Sequence, residues 1–143
     1  MFRPSVGAAN ATAGEGSEAA TTTTTGLQLL DEARGLLARG WCQGADARDA
    51  SGSPVEPWAS AAETWSLLGA IVAALEREAA ATGEMALDEL SAALYALATV
   101  VEADSLVAWN DLPGRNQLDV LRALDAAAAA YRPPWLTISA SAN

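Results

Sequence analysis

The chain has 143 residues, 51% of them hydrophobic, which suits one domain with a real core. Its charge is lopsided: eight arginines, no lysine, no histidine and 18 acidic residues give a net charge of −10. Such a chain repels nucleic-acid phosphates and anionic membranes, and it lacks several catalytic residue types altogether.

Without histidine there is no neutral-pH proton shuttle, no Ser-His-Asp triad and no imidazole metal ligand. Without lysine there is no Schiff base and no P-loop lysine. Cys42 is the single cysteine, so neither an internal disulfide nor a thiolate zinc site can form. The longest folded stretch free of charge and proline, 90–101, is far shorter than the ~20 residues of a membrane-spanning helix. Residues 1–13 have no continuous apolar segment and do not read as a signal peptide. These features point to a cytoplasmic protein with no cofactor and no metal.

Residues 1–24 are rich in Gly, Ala, Ser and Thr and read as a disordered N-terminal arm. A helical domain is expected over 25–132, followed by a flexible tail over 133–143. The first helix is predicted to start at Thr25, where Thr25-Gly26-Leu27-Gln28 has capping-box spacing. Leu29, Leu30, Ala33, Leu36 and Leu37 form its apolar face, and Gly40 closes it as a left-handed cap. A long loop follows over 40–59, with Trp41 and Trp58 packing its ends. The second helix is predicted from Ser60, on the capping-box spacing of Ser60 and Glu63. Ala61, Trp65, Leu68, Ile71, Val72, Leu75 and Ala79 make its stripe. Gly69 inside it implies close approach by a neighbouring backbone or ring, and Thr82-Gly83 ends it.

The third helix is expected over 87–108. It is apolar around a wide arc, which marks it as the central helix. Trp109 to Gly114 reads as a turn. The fourth helix starts near Asn116, with Asp119 as the acidic third residue, and Pro133-Pro134 stops it. The carboxylates, among them Glu76, Glu78 and Glu102, fall on outward positions. No segment reads as a convincing strand. The fold class is therefore all-α: a compact bundle of about four helices with a long loop between helices 1 and 2.

No set of residues reads as catalytic. The binding candidates are the polar and aromatic groups of the long loop and the later turn: Trp41, Gln43, Arg48, Asp49, Trp65, Trp109, Asn110 and Asp111. Tryptophan offers large contact area with one polar handle, and Arg48 can fork onto an anionic group. Each also has a structural reading. The tryptophans can seal the ends of the bundle, Arg48 can anchor its loop by pairing with Asp49 or Asp111, and Asn110-Asp111 can satisfy turn amides. Asp46, Asp49 and Asp111 do not reproduce a calcium loop, because Ala50 falls where a ligand is wanted. Cys42 reads as a small buried hydrophobe.

Gly40-Trp41, Gln43-Gly44, Ala47-Arg48-Asp49, Gly52, Trp65, Gly69-Ala70 and Trp109-Asn110-Asp111 before a helix with Val120 stand in a recognisable order. In that order and spacing the chain resembles an uncharacterised family of small helical proteins from actinobacteria and their phages, over residues 27–131. The family pattern has threonine at the last helix's cap, where this chain has Asn116, and a small polar residue in place of Cys42. The resemblance implies fold and boundaries but no activity, cofactor or catalytic residue. Two functions remain. The first is a non-enzymatic protein-interaction or accessory module with a protein partner or a second copy. The alternative is a small-molecule-binding or enzymatic domain with its site between the 40–59 loop and the Trp109–Asp111 turn.

Overall fold

The structure, a computed structural model, describes residues 24–135. The expected arm, apart from Thr24, and most of the expected tail lie outside the described residues. Among those described, the chain is mostly helical: α1 (Gly26–Arg39), α2 (Leu67–Thr82), α3 (Leu87–Val101), α4 (Leu106–Asn110) and α5 (Gln117–Ala130). Two short strands, β1 (Ala47–Arg48) and β2 (Thr64–Trp65), pair antiparallel, with Ala47 opposite Trp65 and Arg48 opposite Thr64. No described helix is long and apolar enough to cross a membrane.

The α1 capping box forms as its sequence requires: the Gln28 amide donates to Thr25 Oγ1, and the Thr25 amide donates to Gln28 Oε1. The buried face is Leu29, Leu30, Ala33, Leu36 and Leu37, and each fully buried leucine is worth roughly 2 kcal/mol. Gly40 follows, but not as a left-handed cap. Its φ of 180° is ordinary extended backbone, and glycine is needed for another reason: a Cβ there would lie 2.7 Å from the Glu63 carbonyl oxygen. The helix that packs against α2, α3, α5 and β2 is α1, so it occupies the centre expected of the third helix. Only Ala93, Ala96 and Leu97 of α3 are fully buried.

The start of α2 departs from its predicted place. Residues 60–65 are not helical, because the Glu63 amide donates to Arg48 O and Thr64–Trp65 are drawn into the strand pair. The cap is Ser66, whose Oγ accepts from the Gly69 amide. Its buried face is correspondingly rotated to Leu67, Ala70, Ile71, Ala73, Ala74 and Leu75. The compensation at Gly69 is a backbone approach: a Cβ would collide with the Asp46 carbonyl. Gly83 ends the helix in the left-handed region, at φ 84°.

The single helix expected over 87–108 is two helices. Glu102 takes a left-handed φ of 56° and closes α3, and Ser105 then caps α4 by accepting from the Ala108 amide. The break re-aims the chain, so Trp109 and Asn110 belong to α4 and the turn begins only at Asp111. The α5 cap follows its sequence signature, with Asn116 and Asp119 exchanging bonds.

Candidate functional site

Asn110 is fully buried at the end of α4, beneath the N-terminus of α2. A buried amide is tolerated only when its donors and acceptors are met, and here they are. Its Oδ1 accepts from Trp41 Nε1 at 2.8 Å and from the Leu67 amide at 3.0 Å. Its Nδ2 donates to the Cys42 carbonyl at 3.1 Å and to Asp111 Oδ1 at 3.0 Å. Gln43 Nε2 donates to the Asn110 and Leu112 carbonyls, and Asp111 Oδ1 also accepts from the Gly44 amide. The knot thus ties the start of the long loop, the α2 N-terminus and the turn after α4 into one network.

Of the eight candidates, Trp41, Gln43, Asn110 and Asp111 meet in this network. Arg48 joins at one remove. It pairs with neither Asp49 nor Asp111; its guanidinium donates to the Gln43 and Gly52 carbonyls and pins the loop across its own bend. Asp49 stands apart, its Oδ1 accepting from Ser51 Oγ and from the Ser51 and Ser53 amides. These bonds, the Ser51 hydroxyl foremost, hold its carboxyl below the usual carboxylate range. Trp109 also stands apart, with Arg115 stacked 3.8 Å from its ring centroid and donating to its carbonyl. Trp65 is buried, donates from Nε1 to the Pro57 carbonyl at 3.0 Å, and lies under Arg39 at 5.3 Å. Burial pushes the Cys42 thiol up, which leaves it protonated and a poor nucleophile. No group of three or more metal-ligating side chains occurs among the described residues.

Three surface cavities are formed elsewhere. One of about 600 Å³ lies between α1 and α5, beside the Arg34–Asp125 ion pair. A second, of about 450 Å³, is walled by Trp58, Trp65, Arg39 and Arg77. A third, of about 430 Å³, lies at the α2–α3 joint. None is lined by Trp41, Gln43, Arg48, Asn110 or Asp111. Trp58 does not pack down to close the loop as expected; it is 53% exposed.

Two further clusters were not legible beforehand, because their members are far apart in sequence. Glu78 is not an outward residue: it accepts from Thr24 Oγ1 and faces Glu32 from across the α1–α2 interface. Glu32 Oε1 is buried with no donor among the described residues. Burial first, and the Glu78 carboxyl second, push the Glu32 carboxyl up to about 7. At the first residue of α1, the Tyr131 hydroxyl donates to Glu89 Oε1, which also accepts from the Gly26 amide at 2.7 Å. Burial and that carboxylate push the Tyr131 phenol up to about 12.

A family model described as a family of unknown function, DUF6197, matches residues 21–130 of the chain. No curated protein and no solved structure matches it significantly.

Proposed function

We propose that this chain, which belongs to the DUF6197 family, is a non-enzymatic protein-interaction module that works through the outer face of α3. The long helices act as a compact bundle, and the partner is a protein whose apolar surface is rimmed by basic residues. The observation that carries the reading is a set of large apolar side chains that no described residue covers: Tyr95 is 74% exposed, Leu87 58% and, just before the helix, Met85 46%. Leu87 and Tyr95 lie two i, i+4 steps apart on one face of the helix, with the small polar Ser91 between them. Large side chains left in water on one stripe mark contact surfaces more often than isolated apolar residues do.

Charge selects the partner. Between Arg77 and Arg115 the sequence carries Glu78, Glu84, Asp88, Glu89, Glu102, Asp104 and Asp111 and no cation. A second copy would set acids against acids at both ends of α3, whereas a basic rim would complement them. The same field argues against nucleic acid and anionic membrane as partners. A cytoplasmic setting, in an actinobacterium or one of its phages, belongs to this reading and suits a lysine-free chain from a GC-rich genome. The alternative, a small-molecule or enzymatic site between the 40–59 loop and the Trp109–Asp111 turn, has less support. The polar groups there already satisfy one another.

A photo-crosslinking residue placed at position 95, with position 126 as an exposed control, tests the proposal in the native host. The expected result is one salt-sensitive adduct, specific to position 95, with a protein that carries a basic surface. Identical adducts at both positions, or a 95-specific adduct of twice the chain mass, overturn it.

A further inference from the structure

The cleft beside Trp58 lies apart from the outer face of α3, and its composition is unlike the rest of this acidic surface. Its floor and one wall come from α2, where Ala73, Glu76, Arg77 and Ala80 recur at helical spacing on one face. Trp58 and the neighbouring loop make the opposite wall, and Arg39 closes the end above Trp65. Two cations therefore converge on a cleft of about 450 Å³ in a molecule of net charge −10.

Neither cation is neutralised at contact. The one ion pair within 4.0 Å among the described residues is Arg34–Asp125. Both arginines line the same cleft, and a bound anion can accept their forked N–H groups. Arg39 is already held by its stacking on Trp65, so less side-chain freedom is lost when it binds. The Trp58 wall is also held in place. Trp65 Nε1 fixes the adjacent Pro57 carbonyl, and the Ala59 and Ala62 amides close successive turns onto Glu56 and Ala59. Trp58 itself remains 53% exposed, a large flat ring partly in water. A planar ring stacked there recovers that surface. Small alanines opposite leave room for its thickness, and Glu76 supplies an acceptor that suits a ring N–H. The volume falls within the roughly 300–1,000 Å³ typical of small-molecule sites.

We infer that this cleft binds a small planar aromatic molecule bearing an anionic oxygen group, either a carboxylate or a phosphate, held between Trp58 and α2 with its anion on Arg39 and Arg77. The inference is independent of the α3 contact surface.

The test titrates the full chain with indole-3-acetate and with AMP, using the neutral counterparts indole-3-acetamide and adenosine as controls. Binding is followed by the NMR signal of the Trp58 indole N–H and by calorimetry. The expected result is saturable binding of at least one anion, with its neutral counterpart about tenfold or more weaker. R77Q should weaken the anion by a similar factor, while R122Q leaves it unchanged. Binding by the acetate alone assigns a carboxylate ligand, and binding by AMP alone a phosphate ligand. Equal binding of charged and neutral forms, an R77Q affinity equal to the parent's, or no saturation by either anion up to about 1 mM overturns the inference. Arg77 and Trp58 are exposed, so these readouts do not depend on a residue that holds the core.

Discussion

The Asn110 knot and the Glu32–Glu78 pair both join α2 to another part of the chain through polar side chains, and they are wired in opposite ways. Around Asn110 each donor faces an acceptor: indole and amide N–H groups on one side, carbonyl and amide oxygens on the other. The central amide is neutral and does not itself titrate, and the one carboxylate in the knot, Asp111, faces two N–H donors. Between α1 and α2 two acceptors face each other, and Arg77 acts on Glu32 only from beyond ion-pair distance. That pair is comfortable only while it holds a proton, which one carboxyl can then donate to the other. A fully matched network adds stability and rigidity, whereas a half-matched acidic one makes stability depend on the solution.

The sharpest way to break the contrast is at its rigid end. Replacing Asn110 with Leu leaves the Leu67 amide, the Trp41 indole and the Cys42 carbonyl without their buried partner. The expected loss is about 3–5 kcal/mol in urea unfolding, or failure to fold. Gly69→Ala attacks the same region sterically, since its Cβ would collide with the Asp46 carbonyl. A loss of about 3 kcal/mol is expected in the same measurement.

The acidic pair predicts a gain instead. The Glu32 carboxyl rises from an ordinary 4.5 to about 7 in the fold. The stability tied to its proton is therefore complete below about pH 4.5 and is lost as pH climbs through 7. Glu32→Gln keeps a neutral donor opposite Glu78, so it should stabilise the protein at pH 8. Solvent screening of this partly exposed group limits the gain to the order of 1 kcal/mol. The variant should also flatten the thermal-melting profile between pH 5 and pH 8. Arg34→Ala is the smallest of the series. The Arg34–Asp125 pair lies at the solvent-accessible surface, and its removal should leave the melting temperature unchanged within error at 0.15 M salt.

Local signals were the legible part of the fold. The caps at Thr25 and Asn116 and the stop at Gly83 each lie within four residues of the groups they serve, so the sequence spells them out. The Ser60–Glu63 pattern has the same spelling yet makes no helix start, because Arg48 and Ala47, many residues earlier, hold that stretch extended. The α3–α4 break rests on Glu102 adopting a left-handed φ, which its residue type does not announce. The polar residues of the loop and the later turn could be gathered by composition, but not who bonds whom, since Trp41 and Asn110 are 69 positions apart. Trp58 and Arg77 gave no local sign of sharing a cleft, for the same reason.

The central claim is that the polar residues of the long loop are welded into the fold and leave binding to other surfaces. Native-state hydrogen exchange at the Leu67 amide and the Trp41 indole N–H tests it most directly, because both donate to Asn110 Oδ1. The account predicts that both exchange only through global unfolding, with the same free energy as the amides of the buried Leu36 and Leu37 in α1. Exchange through local opening, several kcal/mol easier than those core amides, would contradict it and would make the 40–59 loop a mobile element free to receive a ligand.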